Sequence, residues 1–344
     1  MASTAEIEAM RLALAAAREA VNTLPNPQVG CVLLDPDDNV LAIGHHHGAG
    51  QPHAEVEALT QAGDKSRGAT AVVTLEPCKH TGKTGPCVQA LIDAGVARVV
   101  FSAADPNADG GGGAAILREA GIDVEAGVLA EDGEALIERW AHLHRYGRPF
   151  VTWKFAAGID GRSAAADGTS QWITSAESRA DVHRLRADAD AIVVGTGTVL
   201  ADNPRLTIRN EFDELAAQQP LRVVVGETAI PSEFQIHNAD AETIFLTERD
   251  PNAVLNHLAE RGIHHVWLEG GPTLAGAWLD AGVIDRAIGY LAPAFLGAGS
   301  AAVNTSATTL SDKHSFHFTN ISQIGPDLRV EMTPTGTHDS GKGV

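Results

Sequence analysis

Four residues within one stretch of the chain have the types and spacing to do chemistry together: His53, Glu55, Cys78 and Cys87. One histidine and two cysteines make the three-ligand set of an open catalytic zinc site, whose fourth position is left for water. Zinc brings the pKa of such a water near neutrality and so supplies hydroxide at ordinary pH. Glu55, two residues beyond the histidine, is placed to move protons rather than to bind metal. A zinc that only stapled the fold would give Glu55 no purpose.

The order His-x-Glu, then Pro-Cys, then Cys resembles the signature of zinc nucleobase deaminases. The spacing departs from it, because eight residues rather than two separate Cys78 from Cys87. The insert, Lys79 to Pro86, is polar and Gly-containing and suits an anionic group such as phosphate. As a whole, Pro-Cys-x-His-x-Gly-x-Thr-x-Pro-Cys over 77–87 resembles the deaminase half of the bifunctional riboflavin-biosynthesis deaminase/reductase family. Asn26-Pro27-Gln28-Val29-Gly30 matches the same family. The resemblance implies substrate contacts from Asn26, facing the pyrimidine, and from His80. On its own terms Asn26-Pro27 also reads as a turn, the weaker of the two readings. Many relatives carry an aromatic residue or histidine where this chain has Thr81, so that position receives no role.

The chain has 344 residues, enough for two domains of ordinary size, and its hydrophobic content of 44% can fill real cores. A formal net charge of −19 argues against nucleic acid or an anionic membrane as partner. A small anionic substrate stays compatible, because local basic residues can line a pocket of an acidic protein. Of three cysteines, only Cys31 falls outside the metal motif, so no disulfide framework is expected and a reducing cytoplasm fits. Met1 to Met10 shows no apolar run of a signal peptide, and no run approaches the ~20 residues of a membrane helix.

These residues need elements to hold them. Ala5 to Val21 reads as an amphipathic helix, followed by the strands Cys31–Leu34 and Val40–Gly44. His45-His46-His47 comes after a strand and before Gly48, and reads as a loop beside the substrate rather than a ligand set. A helix opens at His53. Residues two apart point to different sides of a helix, so His53 and Glu55 can share a site only at its entrance. Ala69–Leu75 is a strand, Pro86–Ala94 a helix beginning at Cys87, and Val96–Ala104 another strand. A helix N-terminus favours thiolate. Gly110 to Gly113 reads as a flexible connection before the helix Ala114–Ala120, and Glu131–Tyr146 is the last helix of an α/β layer domain. Tyr146 to Pro149 is the seam.

Beyond the seam the order of elements starts afresh, with apolar strands at 150–155, 191–194, 221–225, 243–246 and 265–268. Helices are expected around 178–187, 251–261 and 273–281. Two strand-to-helix junctions, Gly195-Thr196-Gly197-Thr198 and Glu269-Gly270-Gly271-Pro272, suit a phosphate-bearing cofactor, although no Gly-x-Gly-x-x-Gly is present. Trp153 to Arg162, Ser170 to Thr174, Gly195 to Arg209 and Glu269 to Thr273 look like the reductase half of the same family, in family order. That resemblance implies a dihydrofolate-reductase-like fold that uses NADPH. It implies Ala157, Trp172, Thr198, Asp202 and the segment Gly271, Pro272, Thr273, Leu274, Ala275, Gly276 and Ala277 at the nucleotide. It implies Ser170, Arg186, Leu206, Arg209 and Glu269 at the substrate, with Lys154 at the reacting ribose. Guanidinium groups suit a ribose 5-phosphate, although each arginine alone reads equally as surface charge.

The expectation is therefore an α/β protein of two domains: a cytidine-deaminase-like three-layer domain over 1–147 and a dihydrofolate-reductase-like domain over 148–333. Residues 334–344 are expected to be a disordered tail. The expected function is zinc-dependent deamination of a phosphorylated diaminopyrimidine, then NADPH-dependent reduction of its ribosyl group. Zn2+ and NADPH are the expected cofactors, and the enzyme is expected to be a cytoplasmic homo-oligomer, dimer or tetramer. A free cytidine- or tRNA-type deaminase with an accessory domain is opposed by the long loop, the charge and the reductase motifs. A scaffolding protein with dead sites is opposed by the complete set His53, Glu55, Cys78 and Cys87.

Overall fold

The computed structural model describes residues 1–20, 23, 25–81, 85–209 and 214–335. The chain divides into two compact units, Met1–Gly147 and Arg148–Val344. In the first unit, helix α1 (Thr4–Glu19) precedes strands β1 (Gly30–Leu34) and β2 (Val40–His45). Helix α2 (Ala54–Ala62), strand β3 (Thr70–Leu75), helix α3 (Cys87–Ala94) and strand β4 (Arg98–Ala103) follow. Helix α4 (Gly113–Glu119), strand β5 (Asp123–Ala126) and helix α5 (Ala130–Tyr146) complete it. The sheet order is β2-β1-β3-β4-β5, with β1 antiparallel to both neighbours and β3, β4 and β5 mutually parallel.

Alternation along β1 explains why the sheet is covered on both faces. Cys31 and Leu33 pack with Ala54, Ala58, Val88 and Leu91 of α2 and α3. Val32 and Leu34 pack with Met10, Ala13 and Leu14 of α1. The result is a three-layer arrangement in which the loops after β2 and β3 run straight into α2 and α3.

The second unit runs β6 (Phe150–Gly158), α6 (Ala176–Arg186), β7 (Ala191–Gly195), α7 (Thr196–Asp202), β8 (Leu221–Val225) and β9 (Thr243–Leu246). It continues through α8 (Pro251–Glu260), β10 (His265–Leu268), α9 (Pro272–Asp280), β11 (Arg286–Ala292), β12 (Phe316–Ile324) and β13 (Asp327–Pro334). Among the described residues these form an eight-stranded sheet in the order β12-β13-β11-β6-β10-β7-β8-β9, parallel except for β12 and β13. Val151, Trp153, Val193 and Val266 pack under α8 and α9, whereas Ile192, Val194 and Trp267 face α6 and α7. Lys154, one residue on from Trp153, therefore points to the α6 side. Helix α6 is pinned there. Buried Asp327 accepts from Ser175 N (2.8 Å) and Ser178 Oγ (2.6 Å), and Asp181 accepts from Tyr290 Oη (2.6 Å).

Several boundaries differ from the sequence reading. Pro334 closes β13 and Thr335 N donates to Ser315 O, so the ordered chain reaches past the expected start of the tail; 336–344 lie outside the described residues. β5, α7 and β11–β13 were not anticipated: β5 is only four residues long, α7 contains Gly197, and β12 is mostly exposed and lacks alternation. Val21 and Asn22 also lie outside the described residues. The run Gly110–Gly113 is no flexible connection. A Cβ on Gly113 would stand 1.9 Å from Pro77 O, and Lys79 N donates to Gly110 O at 3.1 Å. Glycine here lets the chain pack against the segment that carries Cys78.

Candidate active sites

His53 is the N-cap of α2 and Glu55 sits in its first turn, the one place where residues two apart converge. Cys87 opens α3, while Cys78 follows β3 and is held back onto α3 by Val88 N donating to Cys78 O at 3.2 Å. His53 Nδ1 lies 3.1 Å from Cys87 Sγ and 3.6 Å from Cys78 Sγ. A tetrahedral zinc with bonds of about 2.1 Å to nitrogen and 2.3 Å to sulfur would separate N and S by about 3.6 Å. The donor chemistry fits as well. A hydrogen bond from Cys87, with His53 adding to it, holds Cys78 well below the thiol range at about 4. The same bond and burial push Cys87 up. Together they present an anionic soft-donor pocket to a cation.

Glu55 is 3% exposed. Burial raises its pKa and the Cys78 charge raises it further, with His53 opposing. That direction suits a group that must hold a proton as well as release it. Around the centre, Glu76 accepts from Gly112 N (3.2 Å) and Ala114 N (3.0 Å), which locks the glycine run under the cysteine loop. Asp105, which the sequence reading missed, has its pKa raised to about 6 by burial and then by Glu76 and Cys78. Asn26 Nδ2 lies 3.0 Å from Nε2 of buried His46, whose ring stands edge-on to His53 with centroids 5.3 Å apart. His80 is exposed, and Gly82, Lys83 and Thr84 of the expected anion loop lie outside the described residues.

In the second unit a cleft of about 1130 Å³ opens beside α6 and the ends of β6, β7 and β10. It exceeds the range of ordinary ligand pockets, about 300–1,000 Å³, and so has room for more than one molecule. Strand order reverses there, since β10 returns between β6 and β7, the usual place for ligands in open parallel sheets. Lys154, Ser170, Trp172, Arg186, Thr198, Asp202, Leu206, Arg209 and Glu269 all line it. Ser170 Oγ and Gln171 Nε2 each reach Asp202 Oδ1 at 3.4 Å. Trp172 is 70% exposed, with the Arg179 guanidinium 4.5 Å from its ring centre.

Other expected contacts are placed differently. Ala157 is fully buried, and Ala156 lines the cleft instead. Gly271–Ala277 do not contribute to this lining: Gly271 N donates to Thr198 Oγ1 at 3.2 Å, joining the two strand-to-helix junctions, Thr273 and Ala277 are exposed, and Ala275 belongs to the core. Pro272 to Ala277 form most of α9, with Gly276 buried. Arg186 grips Glu269 with two parallel hydrogen bonds, Nε to Oε1 at 2.6 Å and Nη2 to Oε2. Two expected substrate contacts thus bind one another. Burial pushes Glu269 up, but Arg186, Lys154 and the Trp267 indole outweigh it and hold the carboxyl at about 2. Burial lowers the pKa of Lys154, Glu269 raises it, and Arg186 lowers it again. The sequence reading missed Arg179 and His183 in this cleft. Their spacing with Arg186, i, i+4 and i+7, is a one-sided basic face that could have revealed them.

Comparison with known proteins decides the family. Residues 149–330 match the RibD C-terminal domain, and residues 3–103 match the cytidine and deoxycytidylate deaminase zinc-binding region. The riboflavin biosynthesis protein RibD of Mycobacterium tuberculosis is 49% identical over 328 residues, covering 94% of this chain and 96% of its own. The chain belongs to the RibD family. The structure of Acinetobacter baumannii RibD superposes with a TM-score of 0.87 at 35% identity, covering 96% of this chain and 99% of its own. A Thermotoga maritima diaminohydroxyphosphoribosylaminopyrimidine deaminase/5-amino-6-(5-phosphoribosylamino)uracil reductase gives 0.87 at 33% identity, with the same two shares of 96% and 99%. As a RibD-family member this protein is a bifunctional enzyme of riboflavin biosynthesis. Its deaminase is zinc-dependent, its reductase NADPH-dependent, and the free cytidine- or tRNA-type deaminase reading gives way to it. No helix among the described residues is long and apolar enough to cross a membrane.

Proposed function

We propose that the first unit removes the exocyclic amine of 2,5-diamino-6-ribosylamino-4(3H)-pyrimidinone 5′-phosphate and that the second reduces the ribosyl group of the product to ribityl. The observation that carries this reading is Glu55, buried beside the three donors His53, Cys78 and Cys87. Zinc, held by those three, supplies the activation of water. Glu55 accepts the proton of the attacking water and passes it to the departing amine, a role its raised pKa favours. Asn26, oriented by His46, contacts the pyrimidine, and His80 contacts the substrate at the edge of the loop.

In the second unit NADPH supplies the hydride. Trp172, Thr198 and Asp202 hold the nucleotide on one side of the cleft, with Ala157 and the Gly271–Ala277 backbone supporting that side. Ser170, Leu206 and Arg209 hold the phosphorylated sugar. Lys154, ordered by the Arg186–Glu269 pair, donates to the oxygen on which charge develops. Residues 1–147 and 148–333 act as separate domains, each with its own core and site. The enzyme works as a homo-oligomer, dimer or tetramer, in the cytoplasm, where the thiols of Cys31, Cys78 and Cys87 stay reduced.

The test is to supply the diaminopyrimidine substrate and follow ammonia release and NADPH oxidation together. Ammonia should appear without NADPH, and NADPH oxidation should require either the first reaction or added deaminated product. NADPH oxidation on the undeaminated substrate at an equal rate would overturn the order of steps.

A further inference from the structure

Outside both centres, His45, His47 and Glu57 form another group of ligating side chains, each offering one atom within 4.8 Å of the others. His45 ends β2, His47 follows two residues later, and Glu57 stands in the first turn of α2. The imidazole centroids are 4.1 Å apart with the rings tilted by 50°. His47 Nε2 lies 2.9 Å from Glu57 Oε1, and the other carboxylate oxygen accepts from His45 N at 2.7 Å. The approach of strand to helix depends on Gly44, where a Cβ would meet Ala54 O at 2.5 Å and Ala58 N at 2.7 Å. With glycine there, the end of β2 lies directly against Glu57.

The backbone tie from Glu57 to His45 needs neither imidazole, yet both rings stand beside the one carboxylate. Two imidazoles and a carboxylate are a ligand set of zinc sites that keep a position open for water. They suit zinc, nickel or copper, whereas magnesium and calcium take oxygen ligands. Around an ion with bonds of about 2.0–2.2 Å, the donor atoms would stand about 3.4 Å from one another, so the His47–Glu57 pair at 2.9 Å would open slightly and any pair as far apart as 4.8 Å would close. These are changes of at most about 1.4 Å, within reach of side-chain rotation at half-buried His45 and exposed His47. We propose that His45, His47 and Glu57 form a second metal site, which takes a divalent ion of the zinc, nickel and copper class. The tract that the sequence alone presents as a non-ligating loop is ligating because the fold brings Glu57 to it. An ion there also fixes the backbone on both sides of His46, whose ring contacts Asn26 and faces His53.

The test uses tag-free, full-length protein stripped of metal and titrated with Co2+, then with Zn2+, with bound metal counted by mass spectrometry after desalting. Thiolate-to-cobalt charge-transfer absorption reports only the His53, Cys78 and Cys87 centre, so failure of that centre and failure of the new site are distinguishable. Wild type should take up a further equivalent after the thiolate band saturates, and a large excess of Mg2+ should not displace it. His47→Ala and Glu57→Gln should each lose that equivalent while the thiolate band still develops in full. Glutamine keeps an acceptor for His45 N, so Glu57→Gln spares the fold, and circular dichroism of both variants checks this. Saturation of wild type with the thiolate band alone, or retention of the further equivalent in both variants, would overturn the proposal.

Discussion

The donors of the deaminase centre all lie between positions 53 and 87, whereas the reductase cleft draws its residues from Lys154 through Glu269. The first is compact and buried, set by two helix entrances and one loop packed on glycines. The second is open and is assembled by the crossing of β10 back between β6 and β7. A centre of the first kind fails when one donor is lost. One of the second kind has its charges distributed, with its pivotal acid already engaged by Arg186, and should fail by degrees.

The largest effects should come from the compact centre. Cys78→Ser is expected to lose both zinc and deamination, with NADPH-dependent reduction of added deaminated product unchanged. Glu55→Gln should keep the zinc yet lose ~10²–10⁴-fold in deamination rate. Metal analysis beside ammonia release separates the two, and full activity in metal-free protein would sink the comparison at its first term.

Next comes the Arg186–Glu269 pair, where the two kinds of site differ in stability rather than in chemistry. Glu269→Gln leaves the half-buried Arg186 charge without its partner, at a cost below the roughly 3–5 kcal/mol of a fully buried pair because the cleft admits solvent. Because the folded carboxyl sits at about 2, below its ordinary value, its contribution is complete above the unfolded pKa and is lost as pH falls toward 2. Denaturant unfolding between about pH 5 and pH 2 should therefore show a shallower acid limb in the variant than in wild type. Parallel limbs would mean that the pair adds nothing to folding.

A smaller, kinetic effect separates the two cations assigned to the sugar. Arg209→Ala should raise the KM for the deaminated substrate about tenfold, the size of one charged hydrogen bond at roughly 1.5 kcal/mol. Lys154→Ala should lower turnover more than affinity. Identical kinetics in wild type and both variants would return Arg209 to the surface-charge reading and remove Lys154 from the reacting centre. The smallest effect is expected at Trp172, where Trp172→Ala removes an exposed ring and its stack with Arg179. A cation–π contact is worth about 0.5–1 kcal/mol at an exposed site. The KM for NADPH should rise by a few-fold, and ammonia release should not change at all.

Sequence legibility follows the same division. His53, Glu55, Cys78 and Cys87 could be read directly, because their types and order carry the signal locally: His53, Glu55 and Cys87 stand at helix entrances and Cys78 in the loop after β3. Strands such as Ala191–Val194, a continuous apolar run, and Leu221–Val225, apolar except for Arg222, were legible as the mark of a parallel sheet covered on both faces. β12 was not, because an exposed edge strand carries no such pattern.

The sequence by itself determined two α/β units, a metal centre with its proton carrier, and the order of motifs that marks a deaminase joined to a reductase. Those are local or periodic signals, carried by spacing and by alternation. Only the tertiary structure decided that Arg186 and Glu269 meet, that Arg179 and His183 join them in the cleft, and that Gly110–Gly113 is packed rather than loose. It also decided that Glu57 comes to lie beside both His45 and His47. Each of these depends on which strand returns beside which, or on a backbone approach that only a glycine permits, and neither is written in the spacing of residues along the chain.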